Sequence, residues 1–200
     1  MNTGDSFSFF DRQFKQQVLS QDFQLNPFEL AALPHLTGRV LDFGCGLGNL
    51  AIAAAQRGCS IVALDASHTA IEHLRQWAAT EALPIVAIEA DLRHYEIAED
   101  FDCVVCIGLL MFFDCVTALD VLSKLKQRVR PGGIAVINVL IEGTTYLDMF
   151  QPDSYCLFER GEMASCFAGW NIMHSEFSEF DAPNQRIKSF VTLIAQKPGN

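Results

Sequence analysis

Three glycines near the start of the chain are spaced closely enough to shape a turn around a ligand. Gly44, Gly46 and Gly48 form a G-x-G-x-G pattern between residues 40–43, which predict a short buried strand, and a helical pattern that begins at Leu50. Glycine lets the backbone approach a ligand closely, and the helix that follows leaves N–H groups free to bind it. The third glycine comes one residue earlier than in the G-x-G-x-x-G pattern that fits a pyrophosphate. The turn therefore indicates a nucleotide-like cofactor.

Two carboxylates follow the next two predicted strands. Asp65 comes directly after residues 60–64, and a carboxylate there offers two acceptor oxygens to a pair of ribose hydroxyls. Asp91 follows the strand predicted over residues 84–88 and offers a second acceptor to an adenine amino group. Each has a plainer alternative, because Asp65 can serve as a helix N-terminal charge and Asp91 as a cap or turn residue.

These residues together resemble class I S-adenosylmethionine-dependent methyltransferases. The matching stretches lie in the same order over residues 39–140 and are VLDFGCGLG at 40–48, Asp65, ADL at 90–92 and RPGG at 130–133. The resemblance implies that the glycines line the methionine part of the cofactor, that Asp65 holds the ribose, and that Asp91 and Leu92 lie at the adenine. It also implies a contact between Asp42 and the amino group of the cofactor.

The sequence thus predicts S-adenosyl-L-methionine as the cofactor and no metal. The predicted cofactor-binding residues are Asp42, Gly44, Cys45, Gly46, Gly48, Asn49, Asp65, Ala66, Asp91, Leu92 and Ile107.

A narrower resemblance covers most of the chain. LMFF at 110–113, FERGE at 158–162, GW at 169–170 and RIK at 186–188 are similar to the small tellurite-resistance type of methyltransferase, which implies oxyanions of tellurium or selenium as acceptors. Some members of that type carry a His-Arg pair just before the last hairpin turn. Here FSEF at 177–180 occupies that stretch, and Glu179 would repel an oxyanion. The predicted acceptor is a thiol, an amine, a carboxylate or a metalloid oxyanion. An apolar acceptor pocket would favour a thiol, an amine or another small organic molecule over an oxyanion.

Methyl transfer from a sulfonium requires mainly alignment and exclusion of water, so a general base is optional. His94 and His174 are the candidate bases, and each can equally be a surface or packed histidine. Arg160 and Arg186 are candidates for holding an anionic substrate, because a guanidinium presents a planar fork of donors, and each can equally be a surface charge.

The elements around these residues alternate between strand and helix. Further strands are predicted at Phe101–Ile107 and 134–140, with helices that start at the caps Ser67 and Asp114. This alternation predicts an α/β fold with a doubly wound, seven-stranded, mostly parallel sheet that places ligands at the carboxyl ends of its strands.

The last third of the chain departs from the alternation. Residues 170–180 and 187–196 predict two antiparallel strands, joined by a turn at 181–185, that form a hairpin at the carboxyl terminus. The long segment 142–169 could cover the site as a lid. We expect a single methyltransferase domain over residues 1–200, with a helical cover at 1–38, a cofactor-binding core at 39–141, and the lid-like segment and hairpin at 142–200.

The amino-acid composition of the chain limits the kinds of binding partner that we expect. The net charge of -10 and the lack of a basic run argue against nucleic acid, and the longest apolar run is too short for a membrane helix, so we expect a small-molecule substrate. The first residues do not form a secretory signal, and the seven cysteines lack framework spacing, so we expect reduced thiols and a cytoplasmic location. Cys103 and Cys106 should point to opposite faces of one strand. The sequence does not indicate an oligomeric state.

Two other functions share parts of this pattern. A nicotinamide-dependent oxidoreductase would also have a glycine-rich turn and Asp65, but the glycine spacing and the lack of a Tyr-x-x-x-Lys pair argue against it. A non-catalytic S-adenosylmethionine-binding or interaction protein would keep the same cofactor site and remains open from the sequence.

Overall fold

A seven-stranded sheet organises the molecule. The computed structural model describes residues 5–152 and 154–199, with the side chains of residues 5–9 outside the description. The strand order is β3-β2-β1-β4-β5-β7-β6, which confirms the predicted fold class. The strands are β1 Arg39–Phe43, β2 Ser60–Asp65, β3 Ile85–Glu89, β4 Phe101–Ile107, β5 Val129–Leu140, β6 Asn171–Ala182 and β7 Arg186–Gln196.

The first five strands run parallel, and β7 and β6 are antiparallel to their neighbours. The fifth strand begins earlier than predicted, at Val129 instead of residue 134, because Val129 pairs with Phe101 and a register shift then lets the ladder resume at Cys103. The hairpin strands are also slightly longer than predicted, which shortens the turn between them to residues 183–185.

Six α-helices accompany the sheet in the described part of the chain. They are α1 Asp5–Ser20, α2 Pro27–Ala32, α3 Asn49–Gln56, α4 His68–Thr80, α5 Cys115–Gln127 and α6 Glu162–Cys166. Both predicted caps are confirmed, since the side chain of Ser67 accepts a hydrogen bond from the N–H of Ala70 and that of Asp114 accepts one from Thr117. These caps fix where two helices leave the ligand-binding edge of the sheet.

Each face of the sheet buries its own apolar core. Cys103 belongs to the core that packs with α3 and α4, and Cys106 belongs to the core that packs with α5. The two thiols therefore face opposite sides, as the odd separation of three residues predicts.

The expectation that every cysteine is a reduced thiol is wrong for one pair. Cys115 at the start of α5 and Cys156 form a disulfide, with their Cα atoms 4.7 Å apart and 41 positions apart in sequence. Two cysteines at such a separation carry no spacing signal, because only the fold brings them within bonding distance.

The segment that contains Cys156 is attached to the body at several further points. The N–H of Cys156 donates to the carbonyl of Met111, and the N–H of Phe158 donates to that of Leu140. The hydroxyl of Thr144 donates to the carbonyl of Ser189 and accepts from its N–H. Closure of this segment over the site stays a prediction.

Within residues 5–152 and 154–199, none of the helices is both long enough and apolar enough to cross a membrane.

Candidate functional site

One large cavity of about 1240 Å³ opens at the carboxyl ends of the parallel strands. This is the edge at which a doubly wound sheet binds its ligands. The cavity is lined by all of the predicted cofactor-binding residues except Gly48: Asp42, Gly44, Cys45, Gly46, Asn49, Asp65, Ala66, Asp91, Leu92 and Ile107.

The glycine turn needs its glycines for two different reasons. Gly44 and Gly46 have φ values of +88° and +54° and expose their backbone to the cavity. Gly48 has a φ of +79° and packs against α4, where an added Cβ would lie 2.5 Å from a Cδ atom of buried Leu74. The structure thus places Gly48 in helix packing and outside the cavity lining.

Asp65 is held in place by the backbone around it. One carboxylate oxygen accepts a hydrogen bond from the N–H of Gly46 at 2.9 Å, and the other accepts one from the N–H of Ser67 at 2.8 Å. Burial raises the pKa of Asp65, while these hydrogen bonds act in the opposite direction. Each oxygen keeps a lone pair, so the carboxylate can accept two hydroxyl donors from the cavity side.

Asp42 is a buried carboxyl group that lacks a partner. It is 5% exposed, and its Oδ2 makes no hydrogen bond within the described residues. Burial raises the pKa of Asp42 to about 8, and the nearby carboxylates of Glu29 and Asp65 add to that effect. An unpartnered buried carboxyl group that lines a cavity is well placed to meet a cationic ligand.

Asp91 already has a partner. Its carboxylate oxygens lie 2.9 and 2.7 Å from the Nε and Nη2 atoms of Arg93, which lowers the pKa of Asp91. The adenine contact predicted for Asp91 would therefore share the carboxylate with Arg93.

The four candidate catalytic residues do not line this cavity in the described part of the structure. His94 is exposed, and His174 lies on β6 with its Nε2 3.3 Å from Glu176. Arg160 lies over the ring of Phe177 at 4.6 Å. Arg186 forms a bidentate pair with Asp148 at 2.5 and 2.6 Å, beside the cavity residue Tyr146.

We call six lining residues outside the predicted cofactor set the acceptor end. They are Phe28, Glu29, Asn138, Tyr146, Lys188 and Phe190. Sequence reasoning did not select Glu29 or Asn138, because neither lies in a motif. A signal existed only for Lys188, which belongs to the 186–188 stretch of the narrower resemblance, where Arg186 was chosen instead.

The residues that line the cavity fit S-adenosylmethionine because they offer buried carboxyl groups to its cationic groups. S-adenosylmethionine carries a sulfonium and an ammonium group, and the cavity offers the carboxyl groups of Asp42, Asp65 and Glu29. Burial raises the pKa of all three, so the cavity has more buried acid than it has cations to pair with. The Oδ1 atom of Asn49 is a further buried acceptor without a partner, at the start of the helix that follows the glycine turn.

Comparison with known proteins identifies the segment that carries the glycine turn, Asp65 and Asp91. Residues 40–133 match the family described as "Methyltransferase domain". This segment of the chain is therefore similar to methyltransferase domains.

Two curated relatives match a larger share of the chain. "Hemagglutinin 1" of Eikenella corrodens is 28% identical over 80% of this chain and 55% of its own length. The "Probable S-adenosyl-L-methionine-dependent methyltransferase TehB" of Haemophilus influenzae is 25% identical over 80% of this chain and 57% of its own. The chain thus spans little more than half the length of the curated relatives it matches.

Solved structures share the fold. The crystal structure of TehB from Haemophilus influenzae has a TM-score of 0.76 at 18% identity and covers 96% of this chain and 67% of its own. The N-methyltransferase NodS from Bradyrhizobium japonicum, in complex with S-adenosyl-L-homocysteine, has a TM-score of 0.73 at 15% identity and covers 98% and 100%. The resemblance to class I methyltransferases, and to TehB among them, is confirmed. At these identities the two solved structures show that the fold is shared.

Proposed function

We propose that this protein transfers a methyl group from S-adenosylmethionine to a small-molecule acceptor. The observation that carries the proposal is Asp42, a buried carboxyl group whose Oδ2 has no hydrogen-bond partner among the described residues, in the same cavity as the glycine turn and the fixed carboxylate of Asp65. A neutral or anionic ligand would leave Asp42 uncompensated, whereas the ammonium group of the cofactor would pair with it.

Each part of the cavity has a distinct role in this proposal. Asp65 accepts hydrogen bonds from the ribose hydroxyls, Asp42 receives the ammonium group, and Gly44 and Gly46 give the cofactor access to the backbone. When bound, the cofactor supplies an activated methyl group on a sulfonium. The protein then has to align the acceptor with the methyl–sulfur bond and exclude water. Three of the six residues of the acceptor end have aromatic side chains, which favour the exclusion of water.

The charge of the cavity bears on the class of acceptor. Glu29 and Asp42 line it with carboxyl groups, and Arg160 and Arg186 do not line it. Of the cationic side chains in the described lining, Arg93 is paired with Asp91, which leaves Lys188 to meet an anion. A single lysine does not provide the fork of donors that suits a tellurium or selenium oxyanion, so the proposed acceptor is a small organic molecule.

Calorimetry with S-adenosylmethionine, S-adenosylhomocysteine and NAD tests the cofactor. We expect micromolar binding of the first two and none of NAD. Asp65→Ala should weaken cofactor binding by about 1–3 kcal/mol, because ribose hydroxyls lose a charged acceptor. The control is Asp181→Ala, which removes an exposed aspartate near the tip of the hairpin and should leave affinity unchanged. Binding of NAD alone, or equal affinity in the two variants, would contradict the proposal.

A further inference from the structure

One face of β7 carries two residues that line the acceptor end, Lys188 and Phe190, and a buried threonine next to them. Lys188, Phe190 and Thr192 lie at alternate positions of β7 and therefore share one face of the strand. Lys188 and Thr192 are four positions apart on an antiparallel strand, which corresponds to roughly 13 Å between their Cα atoms. The face changes from polar at Thr192 through apolar at Phe190 to cationic at Lys188.

The inner end of this face holds an unused hydrogen-bond acceptor. Asn138 on β5 is fully buried, and its Nδ2 donates to the hydroxyl of Thr192 at 3.0 Å and to the carbonyl of Val191 at 3.4 Å. Its Oδ1 has no partner in the described structure, although Asn138 lines the cavity. A buried amide oxygen without a donor costs free energy, so a ligand that brings an N–H to it would be stabilised there.

Asn138 lies beside the predicted cofactor site. It pairs with Ile107 across the ladder between β4 and β5, and Ile107 is one of the predicted cofactor residues. The carboxyl groups of Glu29 and Asp42 line the same cavity, so the inner end opposes an anion. An amine meets both conditions, because it carries N–H donors and is compatible with carboxyl groups around it.

The middle and the rim of the face have different chemistry. The ring of Phe190 packs against that of Phe28, with centroids 4.9 Å apart, and both line the cavity. At the rim, Nζ of Lys188 lies 4.9 Å from the ring centre of Tyr146. Lys188 has no carboxylate partner among the ion pairs of residues 5–152 and 154–199, in contrast to Arg186, which is paired with Asp148.

We propose that the methyl acceptor is an amine with an apolar, preferably aromatic, middle and an anionic group at its far end. This inference rests on the proposed function. The amine donates an N–H to Oδ1 of Asn138, its apolar middle packs against Phe28 and Phe190, and its anionic group pairs with Lys188. The lone pair of the neutral amine forms the new N–C bond while the C–S bond breaks, and its electron pair stays on sulfur as a thioether. The resulting methylammonium releases its proton to water.

Three matched probes test this assignment in the full chain. 4-(Aminomethyl)benzoate carries all three features, benzylamine lacks the carboxylate, and 4-(mercaptomethyl)benzoate replaces the amine by a thiol. With S-adenosylmethionine present, mass spectrometry should detect methylation of both amines and little of the thiol. The carboxylated amine should have a KM about tenfold lower than benzylamine, because it adds one charge-assisted pair.

Variants separate the two ends of the acceptor. Lys188→Met should raise KM about tenfold for 4-(aminomethyl)benzoate and leave it unchanged for benzylamine. The matched control is Lys124→Met, which removes a lysine on the surface of α5 that pairs with Asp120. Asn138→Leu should lower kcat for both amines about tenfold, with cofactor affinity unchanged, because the amine loses the group that orients it.

A second variant keeps the test valid if Asn138→Leu does not fold. Thr192→Val removes the hydroxyl that holds Nδ2 of Asn138 and should lower kcat in the same direction by a smaller factor. Cofactor binding without methylation of either amine, or equal turnover of amine and thiol, would overturn the inference and leave the proposed function standing. Failure to bind S-adenosylmethionine would overturn the proposed function, and the inference with it.

Discussion

The two ends of the cavity are built in different ways. The cofactor end comes from the carboxyl ends of three successive strands, β1, β2 and β3, so Gly44, Asp65 and Asp91 follow one another along the chain. The acceptor end collects residues from α2, β5, the segment around Tyr146, and β7. Its parts are up to 162 positions apart in sequence, as Phe28 and Phe190 show by packing against each other.

This difference indicates which contacts maintain each end. The cofactor end depends on backbone geometry, since Asp65 is fixed by the N–H groups of Gly46 and Ser67. The acceptor end depends on contacts between distant segments, such as the packing of Phe28 against Phe190. The disulfide between Cys115 and Cys156 is a further link between distant segments, next to the cavity residues Phe113 and Ser154. Variants that affect one end and spare the other test this distinction.

Loss of the disulfide should have the largest effect on stability. Cys115→Ser should lower the free energy of unfolding by about 2–4 kcal/mol, because the unfolded chain is no longer cross-linked. Urea unfolding without reductant measures this change, with Cys166→Ser as the control that removes a free thiol. Hydrogen exchange should increase around residues 149–156, and affinity for S-adenosylmethionine should stay within about twofold, because the cofactor end keeps its backbone contacts. An equal loss of cofactor affinity would show that the two ends are not independent.

Gly48→Ala should affect the cofactor end with the next largest effect. Its Cβ would lie 2.5 Å from buried Leu74, whereas a Cβ at Gly58 meets nothing within 4 Å, and both glycines have positive φ. Gly58→Ala therefore reproduces the backbone strain without the clash. Thermal or urea unfolding should show Gly48→Ala to be less stable than Gly58→Ala by about 1–3 kcal/mol, the usual range for overpacking. Equal stability of the two variants would mean that α4 moves to make room.

Asp42→Asn should give an effect on stability that depends on pH. The carboxyl group ionises near 3.8 in the unfolded chain and at about 8 in the folded protein, so the folded state binds more protons between these values. The stability that Asp42 contributes is therefore lost as the pH rises from 3.8 to about 8. The asparagine variant lacks this loss, so its Tm advantage over the native protein should grow steadily from pH 5 to about pH 8 and then level off. A constant difference in Tm would contradict the raised pKa.

The same substitution sharpens the role proposed for Asp42 in binding. If the ammonium group of the cofactor pairs with the ionised carboxylate, the affinity of the native protein should rise with pH up to about 8. The affinity of Asp42→Asn should not follow this rise. Calorimetry at pH 6, 7 and 8.5 compares the two proteins, and parallel pH profiles would rule out this pairing.

The contrast between the two ends also explains what the sequence could predict. Periodicity, the glycine turn and the caps at Ser67 and Asp114 are local signals, so they predicted the sheet and placed nearly all of the expected cofactor residues at one cavity. The orphan oxygen of Asn138 depends on the pairing of β5 with β7, which no local pattern reveals. Gly48 was expected at the cofactor because motif spacing does not distinguish a glycine that faces a ligand from one that faces a helix.

The two cysteines of the disulfide differ in their exposure to an attacking thiol. Cys115 is exposed and Cys156 is 3% exposed, so an attacking thiolate from solvent reaches the sulfur of Cys115 first. A mixed disulfide then forms on Cys115 at the start of α5. Cys156 is released as a buried thiol within the segment that the bond had anchored. Because that thiol stays sheltered next to its former partner, resealing of the bond is an intramolecular reaction that competes with escape of the segment.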